Sequence, residues 1–519
     1  MIETSGEARA RPRELMMRMS KRRFVQALGA LAATATAAAA GADKRGAHRR
    51  RDLLIIGAGT AGLPAAIFAA GRGANVLVVD VAAQIGGTLL LSSGQMSAAG
   101  TRLQRERGIA DTPREHFDDL MRISRGTIDP VMARLAVDHA APTFDWLMDQ
   151  GYRVLPDYPV DGIAHEPYSK PRYYWSAGRG IAILDALRPG FTSGMAAGRI
   201  ETLLEHRVIA LQTERSGAVN GVVVEDSSGR HRDLQARNVL IASGGYASNP
   251  ALFEKLSGMP KFLDRSYPWA RGDGLALAES VGGYVRGAEK YLSNFGVILA
   301  SHDLPTSQLA RANFYPQRRR PWEIYVNADA QRFVREDVPS VDAREQALRF
   351  QRLMRHWVIF DQSVVEQAPP LIEDWGTQDM LDAFEGGLAY FYRADSIEAL
   401  ARAAGLPERP LVATIDAYNY GVHTGNDFFG RKHLPCKLAK PPFYAIRHQG
   451  TSITSTAGIA VNERLQVVRR DGTAVPNLYA AGEVLGSGAT QGQAFCGGMM
   501  VTPAITFGRL LGRQLIRFT

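Results

Sequence analysis

The chain has 519 residues, 45% of them hydrophobic, and a formal net charge of +9. That length exceeds one ordinary core, so more than one domain is expected. Residues 1–51 carry 12 of the 61 Lys and Arg and 4 of the 52 Asp and Glu, so the remaining body is within one charge of neutral and lacks the electrostatic footprint of a nucleic-acid binder.

The N-terminus is basic through Ser20-Lys21-Arg22-Arg23-Phe24-Val25-Gln26 and then runs through Ala, Leu, Gly and Thr to about Ala42. Basic, apolar and small-residue regions in that order read as an export signal over residues 1–42. It resembles a twin-arginine leader, with Lys21-Arg22 or Arg22-Arg23 in place of the arginine pair, which implies a periplasmic protein exported folded with its cofactor. The plainer alternative is a disordered tail with an alanine-rich helix. The apolar run is too short for a permanent membrane span, and no other run reaches that length.

Asp52 to Ile56 is a short apolar run without helical period, expected as a buried parallel strand. Gly57, Gly59 and Gly62 follow in the spacing G-x-G-x-x-G. The first permits a tight turn, the second lets a pyrophosphate approach the backbone, and the third lets the next helix pack closely. A helix is expected from Leu63 to Gly71, then a strand from Asn75 to Val79 ending on Asp80, whose carboxylate can accept from a ribose diol. Strand, glycines, helix, strand and acid in one unit point to a dinucleotide site; a purely structural turn is the bland reading. The phosphates would lie on the helix N-terminus.

Residues 86–101 are rich in glycine and small side chains, suited to lying flat against a planar ring. Residues 112–150 carry a helical pattern, and residues 151–195 read as irregular. Three short strands are expected at Val208–Gln212, Gly221–Glu225 and Asn238–Ala242, the last leading into Ser243-Gly244-Gly245. Asp273 either caps a helix over 275–281 or reaches the cofactor. From about Lys290 to Pro435 aromatics, arginines and long loops dominate, as in an inserted domain. Asn477 to Glu483 is a returning strand that ends on a glycine and an acid, followed by a helix over 503–515. A nucleotide fold that is begun, interrupted and completed suits a large flavin. Cys436 and Cys496 cannot form a CxxC pair, a haem attachment or a cysteine zinc site, and read as unpaired thiols. No histidine spacing supports a metal site.

These motifs together resemble the flavoprotein family of fumarate reductase and succinate dehydrogenase, including 3-ketosteroid dehydrogenases and urocanate reductase. The resemblance runs in order through GAGTAG, IGGTLLLSSGQMSAAGT, LIASGGY, RGDGLALAESVGG, VNADAQRFVRED, TIDAYN with GNDFFGRK, PPFYAI, NLYAAGEV and PAITFGRLLG. It implies an α/β fold: a Rossmann-like FAD-binding domain over residues 50–265 and 441–519, with an inserted α+β capping domain over 266–440. The implied cofactor contacts are Gly57, Gly59, Ala61 and Gly62 at the pyrophosphate and Asp80 at the ribose. Gly87, Thr88, Leu89, Gly94 and Gln95 would line the flavin. Val208 would meet the adenine, Gly244 and Asp273 the phosphate side, Glu483 the ribitol, and Met500 and Val501 the pyrimidine edge. Family members with covalent FAD have a histidine within the segment matching 88–95; none is present, so the FAD is expected to be non-covalent.

Four positions depart from the family pattern. Ser340 replaces the proton-donating arginine, Asn294 and Thr454 replace two substrate-binding histidines, and Phe495 replaces a substrate-clamping arginine. A dicarboxylate would lose charge-assisted bonds of roughly 1.5–3 kcal/mol each. The expected substrate is therefore a small molecule that is uncharged or bulky, not fumarate or succinate, with an external electron acceptor or donor. The expected reaction moves a hydride between flavin N5 and a carbon of a carbonyl-activated C–C bond; the alternative is a flavin-binding electron carrier without that chemistry. The expected catalytic positions are Tyr315, Arg335, Ser340 and the backbone at Gly498, with Tyr291, Tyr325 and Arg344 as further acid/base candidates and His302, His448 and Tyr173 as weaker ones. For each tyrosine the alternative is ordinary aromatic packing.

Overall fold

The computed structural model describes residues 50–163 and 165–518, so the expected export leader lies outside the described residues. The central sheet has six strands in the order Gln466–Val468, Ala474–Ala480, Val239–Ile241, Leu53–Ile56, Val76–Val79 and Ile200–Leu203. All neighbours are parallel except the antiparallel edge pair Gln466–Val468 and Ala474–Ala480. Leu53–Ile56, Val76–Val79 and Val239–Ile241 are buried along their whole length. That matches their unbroken apolar runs, because a parallel sheet is covered on both faces. The second strand of the expected unit and the returning strand therefore flank one sheet built from segments over 400 residues apart.

The helical region over 112–150 is two helices, Pro113–Ile123 and Pro130–Asp149. Thr112 and Asp129 cap them, and a proline follows each cap at the position where its missing N–H costs nothing. Residues 151–195 are not irregular throughout: Arg179–Ala196 is a helix that buries Ile183, Leu184, Leu187 and Phe191. Its glycines look like breakers in the sequence but form its contact face. A Cβ on Gly180 would stand 2.3 Å from the Leu89 carbonyl oxygen, and one on Gly194 2.5 Å from Ile200 Cδ1. A strand at His231–Gln235, also unanticipated, completes a three-stranded sheet with His206–Thr213 and Val219–Asp226. The last helix, Val501–Leu510, is buried against Gly62–Gly71, and a Cβ on Gly508 would lie 2.1 Å from the Ala61 oxygen.

The inserted region has its own antiparallel sheet in the order Ile324–Val326, Arg355–Asp361, Phe443–Gln449, Phe391–Ala394, so the strand Phe443–Gln449 belongs to it and not to the FAD-domain part expected from 441. Its hydrophobic core is separate from that of the nucleotide fold. The chain therefore has the expected α/β fold: a Rossmann-like FAD domain and a capping domain. Where the chain crosses between the two sheets, the segments near 294 and 451 run side by side. Asn294 Nδ2 donates to Thr451 Oγ1 at 3.0 Å, and the Thr451 N–H donates to Asn294 Oδ1 at 3.1 Å. Both cysteines are unpaired. No helix among the described residues is long and apolar enough to cross a membrane.

Within the cap, His356 and His448 stack at 5.3 Å between ring centroids and are fully buried beside Phe314. Burial pushes both imidazoles down, His448 to about 4. A folded-state pKa below the unfolded 6.5 means that the stability is present above pH 6.5 and is lost as pH falls towards 4. For His448 the loss approaches ~3 kcal/mol. Thermal unfolding across pH 7 to 4 should therefore show a falling Tm, and His448→Leu should flatten that slope; an unchanged slope would remove His448 from the account of acid lability.

Candidate active site

The Gly57–Gly62 turn is held by two contacts that exclude side chains. Gly57 has φ +112°, and its Cβ would stand 2.3 Å from the Ala242 oxygen; a Cβ on Gly62 would stand 1.9 Å from the Gly57 oxygen. Asp80 closes the turn from the next strand, its Oδ2 accepting from the Ala58 N–H at 2.6 Å and its Oδ1 from Ala82 at 2.8 Å. Burial raises the Asp80 pKa and these two amides lower it, with burial the larger effect. Helix Gly62–Gly71 has no side-chain cap and no acid in its first turn; with the Leu63 N–H bonded to the Gly59 carbonyl and no N–H on Pro64, an anion would meet the helix dipole and the turn amides up to Gly62.

Beyond this turn lies a cavity of about 890 Å³. At one end Asp80 adjoins His206, and Arg207 is paired with Asp273, beside Val208. Asp273 makes no capping bond to its own helix. The middle is formed by Gly57, Gly59, Ala61 and Gly244 with Glu483, whose Oε1 accepts from the Ser455 N–H at 3.1 Å. Burial raises the Glu483 pKa, opposed by Ser455 and by the charge of Lys261. Lys261 is itself pushed down to about 8 by burial and donates to Ser266 Oγ at 2.5 Å. The rest of the wall includes Gly87, Thr88, Gln95, Gly498, Met500 and Val501, together with Thr454, Gln491 and Phe495.

Three expected contacts are set back from the wall. Gly62 serves helix packing, Leu89 is buried with its carbonyl against Gly180, and Gly94 has φ +69° with the Arg179 backbone 2.5 Å from where its Cβ would be. The structure does not bring Tyr315, Arg335 or Ser340 to the wall. Arg318 lies over the Tyr315 ring, Arg335 Nε pairs with Asp337 at 2.5 Å, and Ser340 caps helix Val341–Arg349 while bonding Glu166. Tyr173, Tyr291, Tyr325, Arg344 and His448 are buried in packing, and neither they nor His302 line the cavity. Asn294 is taken up by Thr451; Thr454 and Phe495 are the departing positions that do line it. Sequence reasoning missed Arg179, Arg207 and Tyr267–Trp269 in the wall. None belongs to a spacing pattern: Arg207 lies on the strand His206–Thr213, Arg179 opens the helix Arg179–Ala196, and Tyr267–Trp269 is a loop.

The glycine turn, the uncapped helix N-terminus and the length of the cavity fit an extended dinucleotide. Gly244 (φ +79°) has open space where a Cβ would be, the cradle a backbone-hugging ligand needs. Fold and site together define a flavin-dependent oxidoreductase with a capped active site. Residues 52–499 match a family profile described as FAD binding domain, and the chain belongs to that family. FAD is its cofactor. The chain is 27% identical over 474 residues to a fumarate reductase (cytochrome) of Shewanella frigidimarina, covering 91% of this chain and 78% of that protein. It is 26% identical to a vinyl phenol reductase of Lactiplantibacillus plantarum, over 91% and 97% of the two chains. In fold it is similar to a 3-ketosteroid-delta4-(5alpha)-dehydrogenase from Rhodococcus jostii RHA1, with TM-score 0.66, 21% identity and coverage of 92% and 99%. The protein is an FAD-dependent oxidoreductase acting on carbon–carbon bonds.

Gly59→Val would place a branched side chain in the cradle, its Cβ in ordinary contact with the protein at 3.7 Å from Gly87 Cα. FAD binding should weaken at least about 30-fold, roughly 2 kcal/mol, while apoprotein unfolding stays close to wild type; a fully yellow variant would contradict this placement.

Proposed function

We propose that this protein moves a hydride between non-covalently held FAD and one carbon of a carbonyl-activated C–C bond in an uncharged or bulky small molecule, exchanging the electrons with an external acceptor or donor. The observation that carries the reading is the neutral wall formed by Thr454 and Phe495. A ring on Phe495 favours stacking on a flat conjugated substrate over holding carboxylates. The vinyl phenol reductase among the relatives is consistent with such a substrate.

Bound FAD supplies the two-electron exchange. The Gly57–Gly62 turn and the helix behind it hold the pyrophosphate, Asp80 the ribose and Glu483 the ribitol. Gly87, Thr88 and Gln95 line the ring system, with Leu89 and Gly94 shaping that segment from behind. Met500 and Val501 stand at the start of helix Val501–Leu510, whose dipole favours negative charge at the pyrimidine edge. The Gly498 N–H region offers backbone donors to a substrate carbonyl. The absence of histidine from residues 88–95 supports non-covalent attachment, and residues 1–42 support export to the periplasm. Acid precipitation of the yellow protein should leave FAD in the supernatant.

Substrate choice is tested by mixing the dithionite-reduced holoenzyme anaerobically with a cyclic enone, an aryl vinyl ketone or fumarate and following flavin reoxidation. A neutral conjugated compound should react at least ~100-fold faster than fumarate, the equivalent of about two lost charge-assisted contacts. Faster reoxidation by fumarate would overturn the reading.

A further inference from the structure

Behind the Phe495 wall lies a cluster of titratable groups that cofactor binding does not use. The His165 imidazole stacks on the Phe495 ring, centroids 4.2 Å apart and planes 30° from parallel. Its Nδ1 is buried and faces Asp342 Oδ1 at 3.5 Å and Glu345 Oε2 at 3.9 Å. The His165 side chain keeps 22% of its surface open, and with Nδ1 buried that opening lies towards Nε2 and the ring carbons. Asp342 and Glu345 are one helical turn apart on Val341–Arg349, and both are buried. The Glu166 N–H fixes Asp342 Oδ2 at 2.6 Å, leaving Asp342 Oδ1 to the imidazole. An imidazole whose buried nitrogen faces two carboxylates across 3.5 and 3.9 Å, with no hydrogen bond closed to either, is biased electrostatically towards holding a proton.

We propose that His165, oriented by Asp342 and Glu345, holds and delivers the proton that accompanies hydride transfer, in the role vacated at Ser340. The proposal rests on the reading of the site as a C–C bond oxidoreductase. In the reducing direction the substrate π bond breaks. With bound FAD supplying the hydride to one carbon, its neighbour would take the proton that leaves His165 Nε2 by way of one bridging water, because the imidazole stands behind Phe495 and not in the cavity wall; the imidazole is left neutral. The oxidising direction returns both. Burial works against charge on His165, but the nearby carboxylates of Asp342 and Glu345 outweigh it, so its pKa is raised. Burial pushes Glu345 up to about 7, opposed by His165 and reinforced by Asp342, which allows it to carry a proton near neutrality and recharge the imidazole. Arg311 faces the cluster from a separate segment and opposes the His165 charge; Arg344 on the same helix lowers Glu345, and the buried Cys496 thiol faces Asp342.

The test compares wild type with His165→Gln and Glu345→Gln, all loaded with FAD. His165→Gln should retain FAD and its dithionite reduction, keep KM within about 3-fold, lose roughly 10²–10³-fold in kcat, and lose the pH limb that the imidazole imposes. Independently of turnover, long-range ¹H–¹⁵N spectra of the holoenzyme should show a His165 imidazolium that persists above pH 6.5, and Glu345→Gln should lower its midpoint by about one pH unit. The proposal is overturned by a His165→Gln enzyme with wild-type kcat and pH profile, or by an imidazole that stays neutral from pH 5.5 upwards. Stoichiometric metal lost with His165→Gln would overturn it too, since a metal-bound imidazole has no proton to give. If the wild-type flavin exchanges electrons with no C–C substrate at all, the functional reading fails instead, and the imidazole spectra still decide whether the cluster holds a proton.

Discussion

The structure depends on one steric constraint, the close meeting of three remote backbone segments at the Gly57–Gly62 turn. Ala242 approaches Gly57 from the third strand, Gly482 comes up to Ala61 from the end of the returning strand, and Gly508 lies on the Ala61 carbonyl from the last helix. At Gly57 and Gly508 a Cβ would meet backbone at 2.3 and 2.1 Å and cannot be accommodated, while at Gly482 (φ +88°) it would crowd the Ala61 methyl at 3.1 Å. The consequence is topological. Leu53–Ile56 pairs with Val239–Ile241, which in turn pairs with Ala474–Ala480. The long excursion between those strands must therefore leave and return at nearly the same place, which the Asn294–Thr451 pair secures.

That geometry places the substrate wall on the returning chain. Thr454, Gln491 and Phe495 all follow the cap in sequence and line the same cavity as Asp80 and Gly59. Thr454, Gln491 and Phe495 themselves offer a carboxylate no charged partner, and the arginines of the cavity, Arg179, Arg207 and Arg265, come from other segments. Charge is also held one ring deeper, at His165, Asp342 and Glu345, where Phe495 separates it from the wall. The cap contributes the carboxylates and the nucleotide fold contributes the stacked ring, so cofactor binding and proton handling come from different parts of the chain.

Much of the nucleotide half could be read from sequence because its signals are local. Glycine spacing, apolar runs without period, and an acid at a strand end each mark the place where they act, and Gly57, Gly59, Asp80 and Glu483 all line the cavity. The reading failed where packing reversed the meaning of a residue. Gly180 and Gly194 break a helical pattern on paper, yet they are the surface along which that helix packs. Tyr315 and Arg335 belong to recognisable stretches but face other neighbours than the cavity. His165 had no signal of its own, since its partners are about 180 residues away; the only available trace was the three-residue spacing of Asp342 and Glu345.

The most direct measurement is a pair of dissociation constants on the oxidised yellow holoenzyme, read from perturbation of the flavin absorption by a neutral cyclic enone and by malonate at low and high salt. A neutral wall predicts enone binding that is insensitive to salt and no saturable effect of malonate. Tight malonate binding that weakens as salt rises would show a cationic clamp at the site and contradict the neutral wall at Thr454 and Phe495.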